Sequence, residues 1–252
     1  MRVFLTGVCV LAIATIATAA PTYDKDSADY GGSLIKSVVA DDLLQQPFTT
    51  ATQEQGGFIL GGPADMTSGT WGAGWGNGAA VLMDWASDPP NVSGTPSLTM
   101  RYDFAIPQNV GEIRVYASNP DGYNSRSYHN YDIEYMVAGD PTVYTLLEQV
   151  HSTNFGVWNG TTEFVERTAT YVYDDAQTFL VEDCVMLRFK LYDVGNTTGG
   201  LWDPYFEDDP RDTDGNRAAF EGSGIREIDV LIPEPASLML LALGGLAVLR
   251  RR

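Results

Sequence analysis

Four stretches of this chain alternate apolar and polar side chains, and that period of two fixes what the chain can build. Leu98, Met100, Tyr102 and Phe104 alternate in SLTMRYDF, and Tyr131, Ile133, Tyr135 and Val137 in NYDIEYMV. In VMLRFKLYDV, Val185, Leu187, Phe189 and Leu191 oppose Met186, Arg188, Lys190 and Tyr192. In GIREIDVLI, Ile228, Val230 and Ile232 recur. Successive side chains of an extended strand point to opposite faces, so each stretch predicts a strand with one buried face. Strand-like runs also occur at AAVLMDW, GEIRVYAS, TVYTLLEQV and EFVERTATYVY, separated by turn clusters such as SDPPNVSGTP and SNPDGYNS. No long stretch carries a helical period. Many short strands that must each cover one apolar face predict an all-β sandwich or barrel.

Both chain ends read differently from this body. Residues 1–20 carry Arg2, then an apolar run, then small residues ending Ala17-Thr18-Ala19, the layout of a cleavable signal peptide. Its removal after Ala19 or Ala20 takes Cys9 away and leaves Cys184, so no disulfide can form within the mature chain. Cys184 sits at the approach to an alternating run, which predicts apolar burial. At the other end, Pro233-Glu234-Pro235 interrupts regular structure, and Ala236–Leu249 is apolar before Arg250, Arg251 and Arg252. As a helix that apolar run spans roughly 21 Å, short against a bilayer core of about 30 Å. The arginines place its far side in the cytoplasm. Residues 232–252 resemble the PEP-CTERM sorting signal of Gram-negative bacteria. The resemblance implies that an exosortase reads Pro233, Glu234 and Pro235, and that the protein reaches the cell envelope or extracellular matrix. The expected organisation is a signal peptide over 1–20, a β-sandwich over 21–231 and a sorting and membrane-anchoring segment over 232–252.

Within the body, Tyr102-Asp103-Phe104 is followed by Ile113, Arg114, Val115 and Tyr116, then Arg126, then Tyr131-Asp132-Ile133-Glu134-Tyr135. These residues, with the closing GIREIDVLI, resemble the galactose-binding-like jelly rolls of the discoidin group. The resemblance implies a jelly-roll β-sandwich. The chain departs from it in lacking a disulfide between its ends and in a long acidic stretch from Asn154 to Gly222.

Charge and composition exclude several functions. The 252 residues carry a formal net charge of -18, and Lys25, Lys36 and Lys190 are the only lysines. A phosphate backbone is held by clustered cations, so nucleic acid is not a partner. His129 and His151 have no metal-type spacing, and no nucleophile-elbow motif is present. A non-catalytic protein is therefore expected. An exported glycoside hydrolase and a ligand-free structural protein of the matrix are the other readings, since paired carboxylates can be drawn anywhere in so acidic a chain.

Three loops carry candidate ligand groups. Tyr123, Arg126 and His129 fall within one turn and combine an aromatic platform with hydrogen-bonding groups, the mixture a sugar requires. Arg126 can instead brace the turn against Asp121 or Asp132, and His129 can anchor the loop. Trp71 and Trp75 lie among glycines, either stacking on a sugar ring or packing on the sandwich edge. Asp212, Asp214 and Asn216 alternate like the start of an EF-hand loop, but Arg217 and Ser223 replace the glycine and glutamate that motif needs. They form either a structural calcium site or a solvated acidic loop. The reading favoured is an exported, envelope- or matrix-associated binding module for extracellular polysaccharide. Its processing is testable: intact-mass measurement of the natively exported protein should show a start near Ala20 or Pro21 and no Arg250–Arg252. Secreted material with the complete tail would contradict this.

Overall fold

The computed structural model describes residues 21–28, 33–70, 80–82, 95–118, 129–152, 167–175, 179–192 and 222–233. Residues 1–20 and 234–252, hence the expected signal peptide and membrane helix, lie outside these. Among the described residues no helix is long and apolar enough to cross a membrane.

The described elements are all β apart from two short 3-10 turns, Leu43–Gln45 and Pro63–Met66. In chain order the strands are β1 (Thr22–Ala28), β2 (Thr49–Gly56), β3 (Phe58–Leu60), β4 (Ala80–Leu82), β5 (Leu98–Val110) and β6 (Glu112–Ser118). They continue with β7 (His129–Val137), β8 (Asp140–Ser152), β9 (Arg167–Tyr173), β10 (Val181–Leu191) and β11 (Gly224–Leu231). Two antiparallel sheets result, ordered β1-β9-β6-β11-β4-β3 and β2-β5-β10-β7-β8. From β5 onward the chain crosses between sheets at almost every connection; only β7 and β8 pair directly as consecutive strands. This is the two-sheet sandwich the alternation requires, and its strand order is consistent with a jelly roll.

The inner faces meet in one core. Leu98, Met100, Tyr102 and Phe104 of β5 are buried there, as are Tyr131 and Ile133 of β7 and Ile113 and Val115 of β6. Tyr102 and Tyr131 both set their rings against Phe189, at 5.9 and 6.4 Å between centroids. The pattern fails at two places. Val185 is only half-buried, because a bulge between Cys184 and Met186 inserts one residue and changes the phase; Cys184 enters the core with Leu187 instead. Just before it, Asp183 has φ 51, a left-handed conformation at a non-glycine residue. Ile232, expected inside, lies beyond the last residue of β11 and is 55% exposed.

A polar seam ties the sheets together. His129 was read as part of a turn; it is the first residue of β7, and its side chain is fully buried. Its Nε2 lies 3.0 Å from Thr168 Oγ1 and its Nδ1 3.3 Å from Thr170 Oγ1, both on β9 of the opposite sheet. Tyr131 OH shares the Thr170 hydroxyl. Burial pushes the imidazole down to about 3, so it remains neutral.

The outer face of the six-stranded sheet is also covered. Leu34 and Val38 pack on Tyr116, Ala169 and Tyr171. Lys36 places its ammonium 4.8 Å from the Tyr171 ring centre and pairs with Glu112. Thr170→Val keeps the shape of the seam but removes its shared hydroxyl. It should cost about 1–3 kcal/mol, the range for buried polar groups losing a partner. Urea unfolding measures this; an unchanged midpoint would show that the seam contributes nothing.

Candidate metal centre and loop platform

β11 lies between β6 and β4, and the burial of Gly224–Val230 extends to both of its faces. Ile228 and Val230 enter the sandwich core. A bulge between Ile225 and Glu227 sets the phase of the other face, where Glu227 and Asp229 stand opposite Tyr116 and Arg114. Two segments close over this face. The first is Val39–Gln45, whose Asp42 caps the first 3-10 turn through Leu44 N at 2.6 Å. The second is Met66–Gly69. Gly69 has φ +69, and a Cβ there would stand 2.9 Å from Ala40 Cα, so the close approach of the two segments requires glycine.

Asp42, Glu227 and Asp229 converge beneath that cover. One oxygen from each lies within 4.8 Å of the others, and all three residues are buried. Each carboxylate has one oxygen fixed by backbone. Asp42 Oδ1 accepts from Leu44 N and, at 3.4 Å, from Val230 N. Asp229 Oδ2 accepts from Val39 N at 2.8 Å. Glu227 Oε2 accepts from Ser68 N and Ser68 Oγ, both at 2.9 Å. The second oxygens, Asp42 Oδ2, Glu227 Oε1 and Asp229 Oδ1, are buried without a hydrogen-bond partner. Buried unsatisfied carboxylate oxygens are costly, and three of them in one cluster make it a candidate cation site.

The proton affinities agree with that geometry. Burial raises all three above the ordinary carboxylate range: Asp42 to about 6, Glu227 to about 7 and Asp229 to about 8. Mutual repulsion adds to it, Asp42 acting on both partners and Glu227 on Asp229. Arg114 opposes the shift at Asp229, yet its guanidinium is committed to Ser37 O at 3.1 Å and Glu112 Oε2 at 3.0 Å. Oxygens bound to one calcium ion at 2.3–2.6 Å are separated by no more than about 5 Å, and the cluster meets that limit. The donors are all hard oxygens, suited to calcium, and the cation would take the place of the protons.

None of these residues was selected by the sequence reading. The proposed ligands Asp212, Asp214 and Asn216 lie outside the described residues, as do Tyr123, Arg126, Trp71 and Trp75. His129 is the exception, and its position in the seam removes it from the exposed ligand groups.

The described strand ends show how the loops are grouped. Ser118 of β6 is opposite Arg167 of β9, and Ala117 is opposite Ile225 of β11. In the other sheet His129 is opposite Ser152, and Leu191 is opposite Tyr131. The His129–Thr168 contact brings these two sets of strand ends together. Connections 119–128, 153–166 and 192–223 therefore all start and finish at one end of the sandwich. Val81 opposite Gly224 brings β4 there too. Arg226, buried at this end, donates from Nε to Ser118 Oγ.

Comparison with known proteins gives two kinds of likeness. Residues 231–252 match the PEP-CTERM protein-sorting motif, which indicates an exported protein processed at the cell envelope. Several solved structures are similar at low identity. A "GH31 CBM32-2" module bound to GalNAc shares 14% identity over 73% of this chain and 96% of its own, with a TM-score of 0.41. The family 32 carbohydrate-binding module of Clostridium perfringens NanJ, in complex with galactose, shares 14% over 72% and 92%, with a TM-score of 0.38. The C. perfringens module CpGH89CBM32-6 shares 14% over 76% and 99%, with a TM-score of 0.36. No curated protein matches the chain.

The carboxylate cluster makes stability depend on pH and on calcium together. Without metal, the folded state holds protons up to about pH 6–8 that the unfolded chain releases near pH 4. The folded state binds more protons across that window, so stability should fall as pH rises from about 4 to 8. Calcium should offset part of the fall. At one hundred times Kd it should add about 2.7 kcal/mol, or roughly 5–10 °C in Tm. Asp229→Asn should remove most of the calcium effect. Melting curves at pH 5 and pH 8, with chelator and with calcium, test this; a Tm at pH 8 indifferent to calcium would refute the site.

Proposed function

We propose that this protein is an exported, envelope- or matrix-associated binding module, non-catalytic, that contacts carbohydrate through the loop-bearing end of its sandwich. The observation that carries the reading is the convergence of strand ends. Three long connections begin and end on one rigid rim, and between them they contain Tyr123, Arg126, Trp158, Trp202 and Tyr205. β4 also ends at this rim, whereas Trp71 and Trp75 precede its far end. A sandwich supplies the frame, and side chains on clustered loops supply recognition. Sugars favour this mixture of aromatic faces and a few hydrogen-bonding groups.

Export follows from the sorting motif at 231–252. The non-catalytic part is supported by the two reactive side chains that the described residues seal away. His129 is buried and held neutral, and burial with no charged partner pushes the Cys184 thiol up to about 12. The carboxylate cluster serves this function indirectly. By fixing β11 to the 39–45 and 66–69 segments, a bound cation stiffens the strand whose first residue stands at the loop rim.

Tyr123→Ala and Arg126→Ala should each weaken retention on immobilised polysaccharide by roughly tenfold or more, as removal of an anchoring contact does. Tm should remain that of the parent. Affinity electrophoresis on a panel of polysaccharides, beside melting curves, reads both quantities. Failure of the parent protein to bind any glycan, or turnover of a chromogenic glycoside panel, would overturn the reading.

A further inference from the structure

The sorting motif starts inside the fold. Its match begins at Leu231, the last residue of β11, and no spacer separates that strand from Pro233. The turn between β5 and β6 receives this segment. Gly111 donates its amide to Leu231 O at 2.8 Å. A Cβ placed on Gly111 would stand 2.6 Å from Pro233 Cα and 2.7 Å from Pro233 N. The turn and the first proline of the motif are thus in backbone-to-backbone contact, an approach that only glycine permits. Pro233 is half-buried by it, whereas Ile232 faces solvent.

A membrane protease that reads the motif needs an extended, unpaired segment on both sides of it, and the closed arrangement withholds one side. We propose that the β5–β6 turn is a seat for the sorting motif: while residues 231–233 rest on Gly111 the motif is withheld, and processing begins when they lift off. The proposal rests on the reading of 231–252 as a processed sorting signal. The contact that holds the seat is small, one amide hydrogen bond and the packing of one proline ring. Lifting off is therefore frequent, and the seat sets the rate of processing while leaving its occurrence to the protease.

The register gives the seat its place in the molecule. Thr22, Tyr173, Glu112 and Leu231 form one continuous row across β1, β9, β6 and β11. Both ends of the body leave the six-stranded sheet from this row, three strand spacings apart, or about 14 Å. The sorting motif emerges at the end of the sandwich opposite the loop rim, so processing at the seat does not require the rim to approach the membrane.

The test uses the full chain in cells that possess the processing protease. Six Gly/Ser residues inserted between Ile232 and Pro233 leave the body intact and free the motif. Gly111→Ala displaces Pro233 without lengthening the chain. Pulse-chase analysis should show tail removal roughly fivefold faster in both variants, the order set by re-exposing about one buried CH2 of Pro233. Melting curves of the variants lacking residues 234–252 should match the parent body for the insertion. Equal or slower tail removal in the insertion variant would overturn the seat while leaving the sorting signal standing. Retention of the tail by parent and insertion variant alike would overturn the sorting reading itself, and the seat with it.

Discussion

The burial of two carboxylates on β11 is the constraint around which the rest of the structure is arranged. β11 is paired with β6 along its length and with β4 only at Gly224 and Ile225, and its outer face is covered as well. Glu227 and Asp229 have thereby lost their water. Backbone donors from two separate segments, Val39 and Ser68, return one hydrogen bond to each. Asp42 brings a third carboxylate into the same space while capping the turn that holds the first segment in place. These contacts are charge-assisted and short, but they satisfy only half of the acceptor oxygens. A cation bound there would complete the set. The covering segments lack regular secondary structure apart from their two short turns.

The two outer faces of the sandwich put ion pairs to different uses. On the five-stranded sheet, Arg101 and Arg188 reach Glu54, and Arg188 and Lys190 reach Glu134, in a part-buried network. Arg188 also lies 3.4 Å from the centre of the Tyr144 ring. The network keeps the outer face of the sheet polar and discourages stacking against another sheet. On the six-stranded sheet the Lys36–Glu112 pair is half-covered and enclosed by tyrosines, so the same chemistry fastens a segment down.

The strands were legible in the sequence because their signal is local. Leu98, Met100, Tyr102 and Phe104 declare a face without reference to anything distant. The bulge at Cys184 was hidden, since a one-residue insertion leaves composition and spacing unchanged and alters only phase. The carboxylate cluster was hidden for a different reason. Glu227 and Asp229 alternate with Ile228 and Val230 as solvent-facing charges do, and nothing within the strand tells that residues 39–45 and 66–69 will cover them. Asp42 is distant along the chain and is one acidic residue among many. His129 was misplaced because its polar neighbours in SRSYHNYD read as a turn, whereas the threonines that satisfy it stand on β9.

The direction of β11 relative to its neighbours has a mechanical consequence. A load applied to the C-terminal segment while the loop rim is held would run along the strand from Leu231 toward Gly224. The β6–β11 hydrogen bonds lie across that axis and would be strained together, in shear, rather than opened one after another from an end. The carboxylate cluster sits midway along the same path, so a cation bridging Asp42 to Glu227 and Asp229 would act as a cross-link between the loaded strand and the segment above it. A module anchored at one end and attached to a polymer at the other would thus carry tension through its most enclosed strand.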